Sequence, residues 1–335
     1  MKLLRLAWSG YQTEQNLAAE KKAVEELGMG YKRSRINGRL PENSDEFSIL
    51  LINSQFKITA NFIKKWPEGK LIITASSGYN HIDLHACRKA KITVARTAKS
   101  RARRVRDHTK TLIFALLRDI PLSHNRLRNH QWTRTDSFER VKDPARETLG
   151  VFGFGLIGSR VADYFKDVFK RPVLVCDPLK ENIGNKLNNI KFCSIKELLK
   201  DSSIISIHAD LNFSSRNLIN KQSIRLLKKG TLLVNTARGK MIDYTDLISG
   251  LKSGKIGGAA LDVFPEEPPG EETEVKHDKL LLTPHSAGFG PGLLDDLRSE
   301  LIELLTEWQA QKPLSQEIKP LTENQIDLLK KRTSL

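Results

Sequence analysis

Residues 149–158 read Leu-Gly-Val-Phe-Gly-Phe-Gly-Leu-Ile-Gly. The apolar run Leu149–Phe152 has the length of a buried strand, and Val161, Phe165 and Val168 follow it at helical spacing. Between them stand Gly153, Gly155 and Gly158, the pattern G-x-G-x-x-G in a strand–turn–helix setting. Each glycine has a task there. Gly153 permits the tight turn, Gly155 lets backbone approach a pyrophosphate, and Gly158 lets the helix pack closely on the strand. The N–H groups and positive end of the helix then attract phosphate.

Such a glycine pattern needs its context, and the next segment supplies it. A second strand, Val173–Cys176, is closed by Asp177, about 20 residues after the last glycine, where a carboxylate binds ribose hydroxyls. That carboxylate would repel a 2′-phosphate, so the cofactor expected is NAD rather than NADP.

Outward from this unit, strand-like runs alternate with helical patterns, as in a parallel α/β sheet. Strands are expected at 3–8, 48–52, 70–74 and 92–94, then at 204–207, 231–234, 259–261 and 280–283. Helices are expected at 17–27, ended by Gly28, at 105–118, and at 292–311. Ser194 with Glu197 forms a capping box, Asn220 caps a helix stopping near Gly230, and Thr322 with Gln325 caps one more near the end.

A chain of 335 residues, 39% hydrophobic, has material for two domains. No apolar run approaches the roughly 20 residues of a membrane span. The opening MKLLRLAWSG has a short apolar stretch broken by Arg5 and is read as a strand, not a signal peptide. Three cysteines without CxxC spacing argue against disulfides and zinc, so no metal is expected and the cytoplasm is the expected location. The net charge of +16 attracts anions of many kinds. Its densest cluster, residues 96–106, is read as a solvated loop entering a helix. No aromatic residue interleaves with it, which argues against a nucleic-acid partner.

Three residues follow strand ends, where open α/β sheets place ligands. Arg238 stands in Asn-Thr-Ala-Arg-Gly, Glu267 in Asp-Val-Phe-Pro-Glu-Glu-Pro, and His285 in Thr-Pro-His-Ser. Oxidising a secondary alcohol while hydride leaves to a nicotinamide requires a base with a pKa near the operating pH, and histidine suits that work. A carboxylate beside it fixes the tautomer, and an arginine binds a substrate carboxylate through two parallel donors.

The sequence resembles the D-isomer-specific 2-hydroxyacid dehydrogenase family over about residues 45–312. The motifs that carry the resemblance are Ser-Ser-Gly-Tyr-Asn-His-Ile-Asp (76–83), Val-Arg-Asp-His (105–108), the glycine pattern, Asn-Thr-Ala-Arg-Gly (235–239), Asp-Val-Phe-Pro-Glu-Glu-Pro (262–268) and Thr-Pro-His (283–285). The resemblance implies two Rossmann-like domains, an NAD-binding domain at 101–289 inserted into a flavodoxin-like substrate domain at 1–100 and 290–335. It implies catalytic roles for Arg238, Glu267 and His285. Cofactor contacts are implied at Gly153, Gly155, Leu156, Ile157, Gly158, Asp177, His208, Ala237 and Asp262, the last at the nicotinamide. Substrate contacts are implied at Ser77, Gly78 and Arg238. A homodimer is implied through the NAD-binding domain, with residues 119–147 including Trp132 as candidate contacts.

The expected activity is interconversion of a small 2-hydroxy acid and its 2-oxo acid, a phosphorylated acid among the candidates. Ser76, Asn80, Arg96 and Asp210 depart from the family's usual residues and leave the acid open. Positive potential for an anionic substrate is expected from Lys99 and Arg101. Two other readings share the fold: an NAD-responsive, corepressor-like regulator, and a formate- or phosphite-type dehydrogenase.

Overall fold

A computed structural model describes residues 1–6, 12–34, 44–180, 188–271, 273 and 277–333. The chain divides into two compact units, Met1–Arg101 with Gly290–Leu321, and Ala102–Phe289 with Thr322–Leu335.

The first unit is a five-stranded parallel sheet: β1 (Lys2–Leu6), β2 (Gly30–Ser34), β3 (Ile49–Ile52), β4 (Leu71–Thr74) and β5 (Thr93–Arg96), in the order β2-β1-β3-β4-β5. This is the flavodoxin-like order. The strands are short and apolar because both faces are covered. Leu4, Leu50 and Ile72 join one buried cluster, while Leu3, Ile49 and Leu71 join another with Leu301, Leu304 and Leu305. Of the strand expected at 3–8, Ala7 and Trp8 lie outside the described residues. The strand β2 has no buried residue, and its sequence Gly-Tyr-Lys-Arg-Ser carries no apolar alternation to announce it. The helix Glu14–Glu26 opens on a Thr13–Asn16 capping box, and Gly28 follows its end at φ 72°.

The second unit is a seven-stranded parallel sheet: β6 (Leu149–Phe152), β7 (Val173–Cys176), β8 (Ile190–Phe192), β9 (Ile204–Ile207), β10 (Thr231–Asn235), β11 (Ile256–Leu261) and β12 (Leu280–Leu282). Its order, β12-β11-β10-β9-β6-β7-β8, reverses direction between β6 and β9. Ligands of open α/β sheets bind at such a switch point, beyond the carboxyl ends of the strands. Along β9, Ile204 packs on one face of the sheet while Ile205 and Ile207 pack on the other. The capping residues Ser194, Asn220 and Thr322 all accept from helix amides. The helix after Asn220 ends at Leu226, short of Gly230, whose φ of 77° serves the turn into β10.

Two expectations change here. From Thr322 the chain belongs to the second unit rather than to the first. Its helix Glu323–Arg332 is tied there by Arg332, whose Nη1 donates to the Pro178 carbonyl at 2.9 Å. The basic segment is not a loop either, because a helix spans Lys99–Leu117. Its start is held by Glu300, 5% exposed, whose two oxygens accept from the amides of Lys99 and Ser100, both at 2.9 Å. A carboxylate at a helix start is favoured by the dipole and satisfies orphan amides. No local capping signal stands before Lys99, so the sequence pattern places the start too late.

Candidate active site

The segment Asn235–Gly239 begins at the last residue of β10 and is braced by Asn235 itself. Its Oδ1 accepts from the Ala237 amide at 3.0 Å, and its Nδ2 donates to the Arg238 carbonyl at 3.0 Å. The turn lies flush on the chain that carries Glu267. A Cβ at Gly239 would stand 1.9 Å from the Phe264 carbonyl carbon and 2.4 Å from the Pro265 nitrogen. The Phe264 amide in turn donates to Glu267 Oε1 at 3.0 Å.

Glu267 Oε2 then accepts from His285 Nδ1 at 2.6 Å. Burial pushes the Glu267 carboxyl up, but the His285 and Phe264 hydrogen bonds and the charges of His285 and Arg238 outweigh it and hold it below the usual range. The carboxylate can only accept, so His285 carries its neutral-state proton on Nδ1 and presents Nε2 as the basic nitrogen. The second unit thus brings Arg238, Glu267 and His285 together.

His285 itself has φ 53°, an uncommon conformation for a side-chain-bearing residue. Asp262 supports it. Its Oδ1 accepts from Thr283 Oγ1 at 2.6 Å and the Ser286 amide at 2.9 Å, its Oδ2 from the Ala287 amide at 3.0 Å, and its carbonyl from the His285 amide at 2.8 Å. Asp262 is 1% exposed.

At the switch point, Gly153 has φ 90°, and a Cβ there would meet the Ala209 amide nitrogen at 2.7 Å. A Cβ on Gly158 would fall 1.9 Å from the Gly153 carbonyl oxygen, so helix and turn touch through bare backbone. At Gly155 the same atom would meet nothing within 4 Å. That open side, flanked by Leu156 and Ile157 at the start of the helix Gly158–Phe165, is where a phosphate can approach the chain. Asp177 accepts from the Phe154 amide at 2.9 Å and the Leu179 amide at 3.1 Å, which fixes its carboxylate at the turn. His208, on the other side of the switch point, pairs with Ser206 Oγ at 2.7 Å, and burial lowers its pKa to about 3. It stays neutral at physiological pH.

In the first unit, Ser76 Oγ bonds Thr74 Oγ1 and donates to the Gly78 carbonyl, both at 2.7 Å, shaping the turn that carries Ser77 and Gly78. Arg96 Nη1 donates to the Ser77 carbonyl at 2.8 Å, and its guanidinium lies 5.2 Å from the centre of the Tyr79 ring.

Residues 110–287 match the family model for the D-isomer specific 2-hydroxyacid dehydrogenase, NAD binding domain. The chain belongs to the D-isomer-specific 2-hydroxyacid dehydrogenases. It is 33% identical over 243 residues to the hydroxypyruvate reductase of Thermotoga maritima, a match covering 72% of this chain and 78% of the relative. It is 32% identical over 239 residues to the D-3-phosphoglycerate dehydrogenase of Bacillus subtilis, covering 71% of this chain. That match spans only 45% of the relative, about half its length. Among solved structures, a D-lactate dehydrogenase from Aquifex aeolicus in complex with NAD and lactic acid matches with a TM-score of 0.78 at 26% identity, covering 98% of each chain.

As the NAD-binding domain of a 2-hydroxyacid dehydrogenase, the second unit suits its cofactor. The uncrowded side of Gly155 leaves room for a pyrophosphate, and Asp177 ends β7 with a fixed carboxylate. Several residues of this dehydrogenase were not assigned roles from sequence. Gly239 was quoted in a motif, yet only the fold shows that it lets two functional segments touch. His108 lies on the helix Lys99–Leu117, with Nε2 3.1 Å from Thr283 Oγ1 and 3.8 Å from Asp262 Oδ1, behind the His285 turn. Thr109 Oγ1 meets Thr236 Oγ1 at 2.9 Å and supports the Arg238 turn from the same helix. His108 stands in the Val-Arg-Asp-His motif, and Thr109 directly follows it.

Proposed function

We propose that the chain interconverts a D-2-hydroxy acid and its 2-oxo acid, with Arg238, Glu267 and His285 as its catalytic residues. The observation that carries this reading is the His285 Nδ1–Glu267 Oε2 hydrogen bond of 2.6 Å. NAD, when bound, accepts or supplies the hydride at C2. In the reducing direction protonated His285 donates from Nε2 to the substrate's carbonyl oxygen, and the ring returns to neutral. In oxidation Nε2 takes the hydroxyl proton, and Glu267 stabilises the resulting imidazolium. Arg238 binds the substrate carboxylate and polarises the carbonyl.

The substrate is a small anionic acid, with phosphorylated acids in the same class. Lys99 Nζ lies 2.8 Å from Glu303 and 3.2 Å from Ser315 Oγ. The test is NADH oxidation with glyoxylate, hydroxypyruvate, pyruvate and phosphohydroxypyruvate. Turnover of at least one is expected. Silence across the whole panel would refute the reading.

The enzyme works as a homodimer paired through the second unit. Four large apolar side chains are exposed within a short stretch there: Ile120, Leu127, Trp132 at 78% and Phe138 at 95%. Large apolar side chains exposed this densely along the chain fit an interaction site. Light scattering should give twice the 37.9 kDa chain mass. The double variant Trp132→Asp, Phe138→Asp should give a single chain mass, and a monomeric parent would exclude the pairing. The three buried free thiols suit a reducing cytoplasm, where we place the reaction.

A further inference from the structure

Two adjacent residues of the helix Lys99–Leu117, His108 and Thr109, reach the two turns that carry Arg238 and His285. Each makes its contact through a threonine. His108 meets Thr283, two residues before His285, and Thr109 meets Thr236, two residues before Arg238. All of these residues lie in the second unit.

The proton on each contact can be assigned, because a threonine hydroxyl has only one to give. Thr283 gives its proton to Asp262 Oδ1 at 2.6 Å. Its oxygen can then only accept, so His108 Nε2 is the donor at 3.1 Å. Thr109 gives its proton to the Val105 carbonyl at 2.8 Å, one turn back on its own helix. Thr236 is therefore the donor to Thr109 Oγ1 at 2.9 Å. The Thr109–Thr236 pair is buried, so solvent does not replace a partner lost there. On the other side, His108 holds the hydroxyl that Asp262 grips, and Asp262 in turn fixes the amides of Ser286 and Ala287 around the left-handed His285.

We propose that His108 and Thr109 are positioning residues that set the proton carrier and the carboxylate-binding arginine in register with each other. His108 acts on His285 through Thr283 and Asp262, and Thr109 acts on Arg238 through Thr236. The inference rests on the reading of Arg238 and His285 as catalytic. It adds a division of labour between two neighbouring helix residues, one governing proton transfer and the other substrate binding. Small displacements matter at such a site, where misplacement by about 1 Å can cost on the order of a hundredfold.

The test is steady-state reduction of the best 2-oxo acid of the panel at saturating NADH, with the Tm of each variant measured alongside. His108→Leu should lower kcat at least about tenfold and leave KM for the oxo acid within about threefold. Thr109→Val should raise that KM at least about fivefold, while costing kcat less than His108→Leu does. His108→Gln restores an N–H donor and Thr109→Ser a hydroxyl, and each should recover most of its loss. Thr283→Val should cost about as much as His108→Leu, and the double variant little more than either, since one contact is then cut twice. Additive losses in that pair would break the route through Thr283 and overturn the proposal. Parallel changes in kcat and KM for both residues, without rescue by Gln or Ser, would reduce them to core packing and overturn it as well. Kinetically silent His108→Leu and Thr109→Val variants of an active parent would remove the brace and leave the reaction standing. A parent that turns over none of the acids removes the reaction, and the positioning role falls with it.

Discussion

Replacing His285 by alanine should lower kcat by about 10²- to 10⁴-fold, the usual contribution of a positioned acid–base group. That corresponds to roughly 3 to 5 kcal/mol of barrier. NADH binding should persist, because the glycine turn, Asp177 and the β6–β9 switch point lie apart from the His285 side chain in the sheet order. Glu267→Gln gives the companion result. The amide can no longer hold imidazolium by charge, so the variant should lose turnover without losing NADH. Stopped-flow reduction of the best 2-oxo acid, with a separate NADH titration, separates the two effects. Near-normal turnover in His285→Ala would remove the proposed proton carrier.

Gly239→Ala should be as damaging by another route. The added methyl would fall 1.9 Å from the Phe264 carbonyl carbon and 2.1 Å from its oxygen, where no flexible side chain can give way. Overpacking against backbone costs about 3 kcal/mol or more. For a unit of this size that lowers Tm by on the order of 10 °C. The strain falls between the Arg238 turn and the chain leading to Glu267, so activity should drop further than the lost fold accounts for. Calorimetry against kcat/KM at a temperature where the variant is still folded tests both parts. A variant as stable and active as the parent would mean that the two segments do not lie in contact.

The strands that cross the middle of each sheet were legible because burial on both faces writes them as continuous apolar runs. Leu149–Phe152, Val173–Cys176 and Ile204–Ile207 coincide with their expected bounds. The edge strands β2 and β8 were missed, since their polar residues face outward and local pattern says little there. The helix start at Lys99 was misplaced for a related reason, its cap being supplied by Glu300 from far along the chain. At the site, Arg238, Glu267 and His285 could be named because chemistry demands those residue types after strand ends. The supports could not. Thr283, Ser286 and Ala287 converge on Asp262 only once the turn is built, and Arg332 meets Pro178 only in the folded unit.

The Glu300 cap has a consequence for how the molecule is made. The amides of Lys99 and Ser100 receive their acceptor from a residue synthesised about two hundred positions later, and Leu301, Leu304 and Leu305 cover the face that includes Leu3, Ile49 and Leu71. A ribosome that has just added Phe289 has already produced all seven strands of the second sheet. The first sheet, translated earliest, still shows water a stripe of leucine and isoleucine. Such transiently bare surface is where nascent chains stick to one another or recruit chaperones. Birth order and completion order are therefore opposite in this protein, and its amino-terminal third waits for the tail to seal it.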